Sequence, residues 1–127
     1  MRGIEFRGKI VGAEGFVYGK LLAPLASGNA YIAYDVNEVR SFVYISRSEK
    51  VDPETVGQYT GLKDKNGKKI FEGDICWEEH NECYGVVKFE EGKFLYVWEN
   101  IAEDLWEVAD SIEIYGNIHE NPELLEA

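Results

Sequence analysis

A mostly β fold of the barrel or sandwich kind is what the amino-acid sequence predicts, and three observations predict it. Apolar residues recur at every second position rather than at helical spacing. Aromatic and β-branched residues crowd those same stretches. Turn-forming Gly, Asn and Asp then punctuate the chain at short, regular intervals.

The elements follow in order. In "GIEFRGKIVG" Ile4 and Phe6 alternate with charged residues, and in "GFVYGKLLA" Phe16 and Tyr18 lie two apart, so the chain begins with two half-buried strands. After the turn-rich "APLASGN" at residues 23–29, "NAYIAYDV" and "SFVYIS" predict two more. In "SEKVDPETVGQ", Asp52 caps a single helical turn, Pro53 suits its first position and Gly57 ends it. The segment "YTGLKDKNGKKIFEGDIC", Tyr59 to Cys76, reads as two turns around a buried strand. Asp64 and Asn66 bond nearby backbone, Asn66-Gly67 tolerates positive φ, Ile70-Phe71 is buried, and Glu72-Gly73-Asp74 turns again. Three strands follow in "DICWEEHNECYGVVKFEEGKFLYVWE", the last two joined by a hairpin at "EEGK". Leu105, Trp106 and Val108, then Ile112, Ile114 and Ile118, predict further strand broken near Gly116. "ENPELLEA" closes with a short helix capped by Asn121, begun by Pro122 and anchored by Leu124 and Leu125.

Composition bounds the function. A chain of 127 residues, 45% hydrophobic and 13% aromatic, is large enough to bury a core. The Arg7 and Lys9 interruptions argue against an apolar signal-peptide core, and no apolar run approaches bilayer length, so a soluble intracellular protein without membrane contact is expected. Two cysteines, Cys76 and Cys83, fit a reducing compartment. Net charge is −11, and after Lys93 nine acidic residues follow with no Lys or Arg, a field that repels phosphate backbones. Nucleic-acid binding is therefore disfavoured in general.

Four constellations are candidates for chemistry. The Gly- and Lys-rich stretch fails as a phosphate loop: Gly61 does not precede Gly67 by five, and Lys69 stands where Ser or Thr would ligate magnesium. It fails as a calcium loop as well, because Asp64 and Asn66 lack the third ligand and the sixth-position glycine. Cys76, His80 and Cys83 with distant His119 have zinc-binding residue types, yet no paired close spacing, and the cysteines serve equally as small apolar residues near the ends of a hairpin. Paired carboxylates such as Glu78-Glu79 and Glu103-Asp104 are plentiful but not isolated in an apolar pocket, and no nucleophile elbow occurs. The rings of Tyr31, Tyr34, Phe42, Tyr44, Tyr84, Phe89, Phe94, Tyr96, Trp98 and Trp106 have too few interleaved basic residues for a stacking face, and point to a core or a subunit interface.

The stretches "VGQYTGLKDKNGKKIFEGDI" and "IEIYGNIHENPELL" resemble the YopX family of small proteins from bacteriophages and prophages. The family's T-G-L-x-D-x-x-G-x-x-I-[FY]-E-G-D falls on Thr60, Gly61, Leu62, Asp64, Gly67, Ile70, Phe71, Glu72, Gly73 and Asp74. Its closing G-N-[IV]-x-[ED]-N-P-E-L falls on Gly116, Asn117, Ile118, Glu120, Asn121, Pro122, Glu123 and Leu124. Residues 1–50 match only loosely. The resemblance implies small barrel-like, intertwined β subdomains with one or two short helical turns, in the cytoplasm of a bacterial host, and it transfers no catalytic residue.

The expectation is thus an N-terminal β lobe over 1–50 and a C-terminal barrel-like lobe over 51–127 carrying the motifs, together one compact folding unit. The protein is expected to be non-enzymatic, with no catalytic, cofactor or metal residues. It is expected to act through protein contacts, as a homo-oligomer or with an unidentified host or phage protein. The alternative is a nucleic-acid-binding β-barrel using Lys63, Lys65, Lys68 and Lys69, the one dense basic patch.

Overall fold

The computed structural model describes residues 4–22 and 27–126, less the side chains of residues 36, 38, 44 and 46. The chain divides into two compact units, Met1–Gln58 and Tyr59–Ala127. The sequence-drawn line at 50/51 falls earlier than this division, which lies inside a strand.

The first unit contains β1 (Phe6–Lys9), β2 (Phe16–Leu22), β3 (Ala30–Val39), β4 (Phe42–Val51) and the start of β5 (Gly57–Lys63). All pairings are antiparallel, in the order β4-β3-β2-β1-β5. The four predicted strands are present. The part of the predicted turn at residues 23–26, and the ring of Tyr44, lie outside the described residues. The sheet curls so that the end of β4 reaches β1 through a single bridge, Ile10↔Val51, flanked by Val11 N–H to Lys50 O (2.9 Å) and Asp52 N–H to Lys9 O (2.9 Å). One bridge does not close a barrel, so the barrel expectation holds only as curvature. Ala30, Ile32 and Val51 form the core, with Phe6, Val17, Leu21 and Val56 packed on it.

Asp52 caps as its sequence context predicts: its carboxylate accepts from Glu54 N–H (3.0 Å), ahead of a 3-10 turn over Pro53–Thr55. Thr55 ties that turn to β1, its hydroxyl accepting from Lys9 N–H (2.8 Å) and donating to Asp52 O (2.7 Å). Gly57 does not end the turn as expected; Val56 does, and Gly57 opens β5.

In the second unit the remainder of β5 pairs with β6 (Lys69–Phe71). A five-stranded antiparallel sheet follows, of β7 (Asp74–Glu78), β8 (Cys83–Glu90), β9 (Lys93–Trp98), β10 (Ile101–Asp104) and β11 (Ile112–Asn117), in the order β10-β9-β8-β7-β11. The β8–β9 hairpin turns at Glu91 and Gly92, both at positive φ (52° and 81°), the geometry that suits the right-handed twist of two antiparallel strands. The core is Ile70, Cys76, Val87, Tyr96, Leu105, Ala109 and Ile112. Tyr96 is fully buried beneath Gly85, where a Cβ would collide with its ring, and its hydroxyl donates to Cys76 O (3.0 Å).

Three expectations for the C-terminal segment are corrected. Residues 105–108 are not strand but a helical turn, α1 (Leu105–Val108), continued by a 3-10 turn to Ser111 and preceded by the unpredicted β10. Leu105, Val108, Ala109 and Ile112 all pack in the core at i, i+3, i+4 and i+7, while Trp106 is 69% exposed, so the operating period is 3.6. Ile118 falls beyond β11, whose pairing with β7 shifts register between Ile114 and Gly116. Pro122 does begin a terminal 3-10 turn, Pro122–Leu125, but Asn121 makes no side-chain cap bond to it. Its Oδ1 accepts instead from Asn117 N–H (3.2 Å), and Leu125 is exposed rather than an anchor.

Candidate functional site

The motif residues build a scaffold. Asp64 is buried, and its carboxylate accepts three backbone N–H groups: Asn66 (2.9 Å), Lys68 (2.9 Å) and Ile114 (3.0 Å). The first two fold the "DKNGK" loop around the side chain, as an Asx turn does. The third reaches β11, and Lys65 N–H to Ile112 O (3.0 Å) doubles the tie. Thr60 donates to Ile70 O (2.8 Å), holding β5 to β6. At the second turn Gly73 sits at φ 94°, conformational space open to glycine, while buried Asp74 accepts from Phe71 N–H (2.8 Å). Gly73 itself donates to Val87 O (2.8 Å) and accepts from Ile118 N–H (2.9 Å).

The closing motif is built the same way. Asn117 Oδ1 accepts from His119 N–H (3.0 Å) and Glu120 N–H (2.9 Å), and its amide donates to Glu120 (3.0 Å). The Asp64–Ile114, Lys65–Ile112 and Gly73–Ile118 bonds, together with the β7–β11 ladder, fasten the two sequence motifs to each other. Their polar residues are spent on backbone, an arrangement that specifies a fold.

The four lysines are all exposed but are not one free patch. Lys63 and Lys69 face each other across β5 and β6, and Lys69 lies over the Tyr59 ring at 5.2 Å. Lys65 instead turns to carboxylates, 3.8 Å from both Glu79 and Glu113. It borders a cleft of about 650 Å³ lined also by Glu78, His80, Glu103 and Asp110. Buried Glu78 uses both oxygens on its own hairpin, accepting from His80 N–H (3.0 Å) and Asn81 N–H (2.6 Å).

Cys76 is buried in the core and opposes Gly85, whereas Cys83 is half-buried and opposes Glu78. His80 is exposed on the hairpin loop. Among the described residues no three His, Cys, Asp or Glu side chains gather into a metal-holding group. Burial and the negative charges of Glu99, Glu78 and Glu103 push the Cys83 thiol pKa up, which disfavours the nucleophilic thiolate. Among the described residues no helix is long and apolar enough to cross a membrane.

Sequence reasoning missed two exposed features. Among the described residues of the first unit, β2 pairs with β3 only at Leu22↔Tyr31, Leu21↔Ile32 and Lys20↔Ala33, so residues 34–39 pair with β4 alone. The resulting two-stranded arm exposes Phe42 (73%), Val43 (64%), Val39, Ile45 and Tyr34. The second feature is a groove of about 610 Å³ on the five-stranded sheet, lined by Trp77, Tyr84, Val97 and Leu124 among others. The signal for both was the density of aromatic residues, which has no direction in a sequence.

None of the curated proteins compared with the chain is similar to it. Among solved structures, the crystal structure of protein EF1440 from Enterococcus faecalis is similar, with a TM-score of 0.69 at 22% identity, covering 96% of this chain and 97% of that one. That likeness establishes the fold. The family model described as YopX protein matches residues 5–126, nearly the whole length, and the chain belongs to that family.

Proposed function

We propose that this chain is a non-enzymatic, phage- or prophage-encoded accessory protein of the bacterial cytoplasm that acts through protein contacts and assembles with copies of itself through the β3–β4 arm. The arm is the observation that carries the reading. An isolated two-stranded ribbon is marginal in water, and this one exposes large apolar side chains on both of its strands. Its outer strand, β4, ends the strand order, and beyond the Ile10↔Val51 bridge its outer edge has no strand neighbour among the described residues, so it can pair with a strand of another copy.

Burying Phe42 and Val43 is worth about 1.5–3 kcal/mol each. A Phe42→Asp/Val43→Asp variant therefore weakens association by at least about a hundredfold per arm, at 1.4 kcal/mol per tenfold. Light scattering is the test: the wild type should run at an integer multiple of the chain mass and the variant at the chain mass. A monomeric wild type, or a variant of unchanged mass, overturns the assembly reading.

A second reading, binding of single-stranded nucleic acid at Lys63, Lys68 and Lys69, draws on the Lys69–Tyr59 contact, since basic and aromatic groups combine in such sites. The net charge of −11 opposes it. Filter binding at low salt, with those lysines replaced, separates the two.

A further inference from the structure

We propose that the open face of the β7–β8–β9 sheet is a peptide groove that takes an extended, proline-rich segment of a partner protein carrying a lysine or arginine. The inference rests on the reading that the chain works through protein contacts, but uses other residues than the arm.

Strand alternation puts Cys76, Val87 and Tyr96 in the core, so Trp77, Tyr84, Val86 and Val97 stand on the opposite face. An antiparallel sheet with one covered face ordinarily alternates apolar with polar; this one is apolar on both. The chain's own terminal turn contributes Leu124 and Leu125 to the second face, and the groove lies beside them. Its volume, about 610 Å³, is that of a ligand pocket.

The floor is aromatic and carries hydrogen-bond donors. Trp77 and Tyr84 oppose each other in the β7–β8 ladder and meet edge to face, ring centroids 4.9 Å apart; Tyr84 meets Tyr115 the same way at 5.8 Å. Neither the Trp77 indole N–H nor the Tyr84 hydroxyl makes a hydrogen bond to a described residue. Both side chains are half-buried, so these donors stay open to an acceptor from a ligand. A polyproline II segment supplies one: it has no internal hydrogen bonds, so its carbonyls are free to accept while its proline rings pack on aromatic faces. Strand addition does not fit here, because β8 is already paired on both sides by β7 and β9.

Charge specifies the rest of the ligand. Exposed Glu82 and Glu99 line the groove in the turns after β7 and β9, which the register places at one end of the sheet. Lys88 is the one basic side chain among the lining residues. Burial first, and then the charge of Glu99, raises the pKa of Cys83 at that end. A cationic side chain of the peptide fits there.

The test is calorimetric titration with a capped Arg-Ala-Leu-Pro-Pro-Leu-Pro peptide, a version with Glu for Arg, and a version with Gly for each Pro. The Arg peptide should bind saturably, and both other peptides about tenfold or more weakly, which is 1.4 kcal/mol. The exposed pair Glu82→Lys/Glu99→Lys should reverse the Arg-over-Glu preference, and Trp77→Ala, checked for folding by circular dichroism, should lose at least tenfold. No saturable binding by about 1 mM, equal binding of the Gly peptide, or a charge-reversed variant that keeps its preference overturns the inference. Light scattering on the same samples keeps the two proposals apart. Groove variants should leave assembly intact, and the Phe42→Asp/Val43→Asp variant should bind the peptide like the wild type.

Discussion

Asp64 offers the sharpest test of how this fold is held. Replacing it with Ala removes the acceptor for three backbone N–H groups at once, those of Asn66, Lys68 and Ile114. The first two belong to exposed residues whose amides can turn to water, so each costs about 0.5–1 kcal/mol net. The Ile114 bond links a buried charged acceptor to a strand, and hydrogen bonds of that kind are worth about 1.5–3 kcal/mol. The total is about 2.5–5 kcal/mol, a large share of the roughly 5–15 kcal/mol that stabilises a domain. For 127 residues the unfolding entropy near 60 °C is about 0.27 kcal/mol/K, so Tm should fall by about 10–20 °C. Urea unfolding followed by circular dichroism reads the loss, and amide exchange should speed up at Ile114. Asp64→Asn should lose the Ile114 share of that energy, because its Oδ1 can still accept from Asn66 and Lys68 while its NH2 group faces the Ile114 N–H. Lys68→Ala, which keeps the backbone bond, should change stability by less than about 0.5 kcal/mol. An Asp64→Ala variant within about 1 kcal/mol of wild type, or a Lys68→Ala variant as damaging, refutes the reasoning.

Two further outcomes concern titration. Burial, first, and the nearby thiols and carboxylates raise the Tyr96 pKa well above its ordinary value. A group whose pKa is raised by folding gives stability that is full below its unfolded pKa and lost as pH climbs past it, here above about pH 10, at up to about 1.4 kcal/mol per pH unit. Tyr96→Phe should flatten that alkaline loss in denaturant titrations between pH 9 and 11; an unchanged slope contradicts the assignment. Cys83, with its pKa raised by burial and then by Glu99, should be alkylated by iodoacetamide more slowly at pH 8 than a free cysteine, and Glu99→Gln should speed the reaction. Rates equal to free cysteine in both proteins would contradict it.

What the sequence made legible was local. Alternation located the first four strands and the three of the central hairpins, and Asp52, Asn66-Gly67 and Gly92 located turns because their chemistry acts on neighbours a few residues away. The segment 105–112 was misread because Trp106 and Val108 offered a period of two. The deciding neighbours, Cys76, Val87 and Tyr96 in one core with Leu105 and Ala109, come from strands elsewhere in the chain. Asn121 failed as a cap for a similar reason: the N–H of Asn117, released by the end of β11, competed for its side chain. Of the candidate site, the lysines were found but not their separation. Lys65 is drawn away by Glu113, a residue whose proximity depends on β11 lying beside the loop. The arm and the groove were invisible because exposure is a property of what fails to arrive, and no local pattern encodes it.

The fastening of the "DKNGK" loop to β11 also constrains how the chain is made. Asp64 and Ile114 are 50 residues apart, and β7 finds its outer neighbour only in residues 112–117. Such non-local pairing raises contact order and delays folding until the distant segment is available. During synthesis, therefore, β7 and the loop emerge from the ribosome well before the strand that secures them. The second unit must complete itself late, holding an unpaired edge in the meantime, and residues 112–117 set the moment at which that vulnerability ends.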